Sequence, residues 1–156
     1  MSTPSKRQGC TGHNAFCAGI LALGLLMPIT GGAEPPKYYA EDIKQAMSAH
    51  IDEQVDEEGI FHLTDDQTGE SLVLKFVKIH DPVREIDGET YFACTDFHVV
   101  GEPEKLYDID FWLRPTGERL KVYDTKVHKE PRRSFLYGWY KYPRYNFVDD
   151  KVVPLY

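Results

Sequence analysis

The chain has 156 residues, with 18 basic and 25 acidic side chains and a formal net charge of −7. Hydrophobic residues at 42% and charged residues at 28% make a globular balance suited to one ordinary domain. The acidic balance excludes bulk binding to nucleic acid or anionic membranes, which takes a basic footprint, and three cysteines are too few for a disulfide scaffold.

Residues 1–33 read as a cleaved secretory signal. Lys6 and Arg7 precede a stretch without formal charge that lasts until Glu34, and Ala15 to Ile29 within it is almost continuously apolar. Those 15 residues are short for a bilayer span, which takes about 20. Gly31-Gly32-Ala33 supplies the small residues of a cleavage site after Ala33. An uncleaved anchor is the competing reading, and Ser5-Lys6-Arg7 is only a distant relative of a twin-arginine signal. Cleavage removes Cys10 and Cys17 and leaves one thiol, Cys94, in a periplasmic or secreted setting. A single thiol there closes no intramolecular bridge, so it is buried, paired between chains, capped or bound to metal.

A folded domain is expected over 34–130. From Tyr39 to Glu58, Ile43, Met47, Ile51 and Val55 recur every four positions, while Glu41, Asp42, Lys44, Asp52, Glu53 and Asp56 point elsewhere. This is an amphipathic helix with one buried face, stopped by Gly59. The period then changes to two. Ile60–Leu63, Leu72–Ile79, Thr90–Val99, Leu106–Arg114 and Glu118–His128 read as strands. They are separated by the turn signals Asp65-Asp66-Gln67-Thr68-Gly69, Asp81-Pro82, Asp87-Gly88, Gly101-Glu102-Pro103 and Pro115-Thr116-Gly117. The expected fold is α+β: one N-terminal helix packed on a meandering antiparallel sheet of about five strands. The order is similar to that of cystatin-like folds, as an architecture and without a family motif.

Residues 131–156 form a separate aromatic, basic tail. Phe135, Tyr137, Trp139, Tyr140, Tyr142, Tyr145, Phe147 and Tyr156 lie there with five basic and two acidic residues. Such a tail is expected to fold back onto an acidic body, since aromatics bury large areas. An exposed arm for a partner chain or a glycan is the rival.

Strand alternation sorts the side chains of the third and fourth predicted strands. Tyr91, Ala93 and Phe97 with Tyr107, Ile109, Phe111 and Leu113 make an apolar face for the helix. Phe92, Cys94, Asp96 and His98 with Asp108, Asp110 and Trp112 collect on the other. A thiol, an imidazole, three carboxylates and two rings make an aromatic–acidic lining of the kind that ligand surfaces carry. Phe92, Asp96, Asp108, Asp110 and Trp112 are the expected ligand-binding residues. Cys94 and His98 are the expected metal ligands, for copper, zinc or iron, with His80 and His128 at strand ends as further candidates. Cys94 and His98 sit about 13 Å apart along an extended strand, so one ion reaches both only across a bulge. His50 and His62 read as structural. Catalysis would need a base beside Cys94, or an Asp–His pair, and no nucleophile elbow, phosphate loop or haem-attachment motif is present.

Two functions follow. The first is a small exported binding protein without turnover, whose sheet face takes an exported protein or a small cationic ligand. The second is a periplasmic metal-binding or redox accessory protein built on Cys94 and His98.

Overall fold

The computed structural model describes residues 37–155. The expected signal over 1–33, with Cys10 and Cys17, lies outside the described residues.

Helix α1 spans Ala40–Gln54 and buries Ile43, Met47 and Ile51, the stripe that the four-residue repeat dictates. Its first turn is tied by the Tyr39 backbone N–H donating to the Asp42 carboxylate at 2.8 Å. The helix ends before Val55 rather than at Glu58. Val55 bridges to Phe61 instead, and the Asp56 carboxylate accepts from the backbone N–H groups of Glu58 and Ile60 at 3.0 and 2.9 Å. Such local side-chain bonds compete with another helical turn.

Strands β1 (Phe61–Thr64), β2 (Ser71–Ile79), β3 (Arg84–Ile86), β4 (Thr90–Val99), β5 (Glu102–Thr116), β6 (Arg119–Ser134) and β7 (Gly138–Pro143) form one seven-stranded sheet. Its order is β1-β2-β4-β5-β6-β7, with β3 paired to β4 and every described pairing antiparallel. Strands β8 (Tyr145–Val148) and β9 (Lys151–Pro154) make a separate hairpin. The α+β class therefore holds, with two corrections. The helix begins at Ala40 rather than at the N-terminus of the chain, and the main sheet has seven strands rather than about five. The additional strands are the three-residue β3 and β7 from the aromatic segment. The expected boundary after Glu130 falls inside β6, which continues to Ser134.

Helix α1 covers one face of the sheet, where Phe97, Ile109, Phe111 and Leu113 are inaccessible to solvent. On the other face a second cluster joins Ile86, Phe92 and Trp112 to Tyr145 of β8, with Cys94 and Phe147 against it. Arg144, just before β8, anchors this hairpin. Its guanidinium grips both oxygens of Asp65 at 2.7 and 2.6 Å and reaches Glu130 at 2.8 Å. Backbone bonds from Arg144 N–H to the His128 carbonyl and from Leu155 N–H to the Arg144 carbonyl complete the attachment. No helix among the described residues is long and apolar enough to cross a membrane.

Candidate metal centre

The register of β4 on β5 sets Cys94 opposite Asp110, Asp96 opposite Asp108 and Phe92 opposite Trp112. Alternation places all six away from the helix. Strand β6 then departs from alternation. Asp108 pairs with Lys129 but Ile109 pairs with Val127, so β6 carries one extra residue at His128. This is a β-bulge, two residues facing one. Val127 stays in the apolar core, while His128 reaches Asp110 and Lys129 reaches Asp108. His80 arrives from the end of β2, where its backbone N–H donates to the Cys94 carbonyl at 2.9 Å.

Two groups of donors result. Cys94, Asp108, Asp110 and His128 each offer a ligand atom within 4.8 Å of the others, and so do His80, Asp96 and Asp108. Asp108 and Asp110 are fully buried, and His128 is 8% exposed. The first group is held in a particular way. Asp108 Oδ2 accepts from the Lys129 ammonium at 2.8 Å, and Asp110 Oδ2 accepts from the Tyr145 hydroxyl at 2.6 Å. The other oxygen of each carboxylate, Oδ1, is buried with no hydrogen-bond partner, as is His128 Nδ1. The His128 ring lies stacked on Tyr145 at 4.6 Å, which fixes its plane. Leaving a buried polar atom unpaired costs about 1–3 kcal/mol each, more for a charged group, and three in one place call for an explanation.

Electrostatics follow burial. Desolvation pushes the Cys94 thiol well above its ordinary range, reinforced by the negative charge of Asp110 and Asp108. The Tyr145 hydroxyl is pushed up in the same way, by burial and by Asp110, so it remains a donor. At Asp96 burial opposes ionisation, but hydrogen bonds from Lys141 and His80 outweigh it and hold the carboxyl below its usual value. Lys141 Nζ is 2.6 Å from Asp96 Oδ1, and His80 Nε2 is 3.0 Å from Asp96 Oδ2.

The expected site residues divide accordingly. Cys94, Asp108, Asp110 and His128 come together, as do His80, Asp96 and Asp108. His98 joins neither group; its Nδ1 lies 3.0 Å from the carbonyl of Val99. Phe92 and Trp112 do not line an open ligand face. They are 5% and 8% exposed, because Phe147 packs edge-on to Phe92 at 4.9 Å and Tyr145 closes the same cluster. Around Phe92, Trp112, Asp108 and Asp110 the aromatic–acidic face is an interior. Sequence reasoning passed over Lys129, Lys141 and Tyr145. Lys141 and Tyr145 lie in the basic aromatic segment, whose charge is opposite to the body's, whereas nothing in the sequence singled out Lys129.

No family model, curated protein or solved structure matches this chain. The donor set itself tests the fit of a metal. One thiol, which would lose its proton on binding, one imidazole and two carboxylates form a four-ligand set of mixed softness, suited to zinc or iron(II). Calcium or magnesium would take oxygen donors alone. Lys129 and Tyr145 occupy the second oxygens of the two carboxylates, the outer-shell role that orients metal ligands.

Proposed function

We propose that this chain is a small exported metal-binding protein that holds one divalent transition-metal ion through Cys94, Asp108, Asp110 and His128. The observation that carries this reading is the asymmetry of the two buried carboxylates. Each has one oxygen tied to a protein donor and the other without a partner, which is how an ion-ligating carboxylate is prepared. Four protein donors fill a tetrahedral shell and leave no open position for substrate, so the reading is binding rather than turnover. Export is supported by the basic start and short apolar stretch of residues 1–33. It is consistent with a lone, half-buried thiol held by a metal. We read the helix-over-meander order as cystatin-like in architecture.

The test is the metal content of untagged full-length protein, followed by zinc titration of the metal-free form. One equivalent per chain is expected, lost in Cys94→Ser, Asp110→Asn and His128→Gln. His98→Gln is expected to leave it intact. Cobalt(II) in place of zinc should give an intense sulfur-to-cobalt absorption that disappears in Cys94→Ser. A wild-type chain that binds neither zinc, iron(II) nor cobalt(II) overturns the reading and leaves a buried polar network.

A further inference from the structure

Asp108 belongs to both donor groups. A carboxylate shared by two ligand sets can bridge two cations, which in two-metal sites stand about 3.5–4 Å apart. The second set is His80, Asp96 and Asp108. The donor that the two sets share is Asp108 Oδ1, which has no hydrogen-bond partner and lies 3.9 Å from His80 Nδ1. Asp108 is fully buried and Asp96 is 6% exposed. Lys129 stands on the shared Asp108, and a further cation is in place on Asp96, the carboxylate that belongs to the second set alone. Lys141, from β7, puts its ammonium 2.6 Å from Asp96 Oδ1 and 3.9 Å from Asp108 Oδ2. No ammonium stands on the free oxygen of Asp110.

We infer that the centre is a two-cation site held in a one-metal form, with the Lys141 ammonium as a tethered cation in the place of the second ion. This rests on the one-metal reading above. An ammonium and a divalent ion both favour the Asp96 carboxylate, and they repel one another at contact distance in a poorly solvated site. Lys141 is covalently attached to β7, paired along its length with β6, so its effective concentration at Asp96 is high. The lysine therefore outcompetes a free cation. Its removal leaves one carboxylate oxygen of Asp96 open beside His80 and the shared Asp108. Lys141 is a specificity-determining residue that sets the number of ions, and it is not a ligand.

The experiment compares zinc stoichiometry, by calorimetry and by elemental analysis after equilibrium dialysis, in full-length wild type, Lys141→Met, Lys141→Gln and Lys141→Arg. Wild type and Lys141→Arg are expected to bind one zinc, because both keep the positive charge. Lys141→Met and Lys141→Gln are expected to bind two, and the added Asp96→Asn change returns Lys141→Met to one. Lys141 is partly exposed, and either neutral variant with a native circular dichroism spectrum suffices. One zinc on both neutral variants overturns this inference while the first site stands. Two zincs on wild type also overturn it, since the lysine then excludes nothing. No metal on wild type overturns the one-metal reading itself, and this inference with it.

Discussion

The two faces of the sheet are buried to the same degree by opposite means. Beneath α1, Phe97 and Phe111 have no solvent exposure; beneath β8, neither do Asp108 and Asp110. The helix-side face is largely apolar, and apolar burial is favourable by itself, at about 25 cal/mol per Å2, although the Thr95 hydroxyl is buried there without a partner. The hairpin-side face is held by named partners: Lys129 on Asp108, Lys141 on Asp96, Tyr145 on Asp110. Where partners run out, three polar atoms stay bare. An apolar interior tolerates many residues of suitable volume. A polar interior left partly unsatisfied is costly, and the proposed ion would supply the missing partner.

The sharpest way to break this comparison is at the hinge between the faces. Arg144→Ala strands Asp65, 2% exposed, without its bidentate partner, and breaking a buried pair from one side costs about 3–5 kcal/mol. Chemical denaturation should show that loss, and the double change Asp65→Asn with Arg144→Met should recover part of it, because the Asn side-chain oxygen still accepts from the backbone N–H groups of Gln67 and Thr68. The pH dependence follows from the sign of the shift. The Arg144 hydrogen bonds hold the Asp65 carboxyl well below the usual carboxylate range. Its contribution is therefore complete above the unfolded-state value of about 4 and lost as pH falls toward the folded-state value. Stability of the wild type should drop more steeply below pH ~4 than that of Arg144→Ala.

A comparable loss is expected on the apolar side, with a different dependence on metal. Phe111→Ala empties a fully buried position and should cost about 3–5 kcal/mol whether or not zinc is present. Zinc itself should add about 2.7 kcal/mol to the wild type at a hundredfold excess over the dissociation constant. Melting curves with and without zinc check both statements at once. Phe111→Ala should keep the zinc increment, and Asp110→Asn should lose it.

Much of the apolar face was legible in the sequence. The four-residue repeat of α1 and the alternation of Tyr91, Ala93 and Phe97 against Ile109, Phe111 and Leu113 both appear in the core. So was the shared face of Cys94, Asp96, Asp108 and Asp110, because it needs only alternation; the register that sets Cys94 opposite Asp110 and Asp96 opposite Asp108 was not. The rest depended on departures from period. The bulge at His128 moves a side chain across the sheet without any residue that announces it. The β8–β9 turn uses Asp149 and Asp150, both at positive φ (48° and 58°), where glycine or asparagine is the usual signal. Without that hairpin in view, Phe92 and Trp112 read as an open surface. The aromatic segment also divides: Tyr145 is 4% exposed, whereas Phe135 is fully exposed at the tip between β6 and β7.

The smallest expected effect isolates one atom. Tyr145→Phe keeps the ring stacked on His128 and removes only the hydroxyl that donates to Asp110 Oδ2. In metal-free protein Asp110 then loses its shortest hydrogen bond and keeps the His128 ring, 3.3 Å from Oδ2, and the Cys94 thiol as polar neighbours, which costs about 1–2 kcal/mol. At saturating zinc the loss of stability should be larger than in the metal-free form, because weaker binding lowers the increment that zinc adds. Zinc affinity itself should fall by about 10–100-fold, the usual effect of losing an outer-shell hydrogen bond to a ligand. Calorimetry separates these. A variant with full stability loss and unchanged zinc affinity would make Tyr145 a packing residue of the hairpin, and the carboxylate asymmetry an accident of the fold.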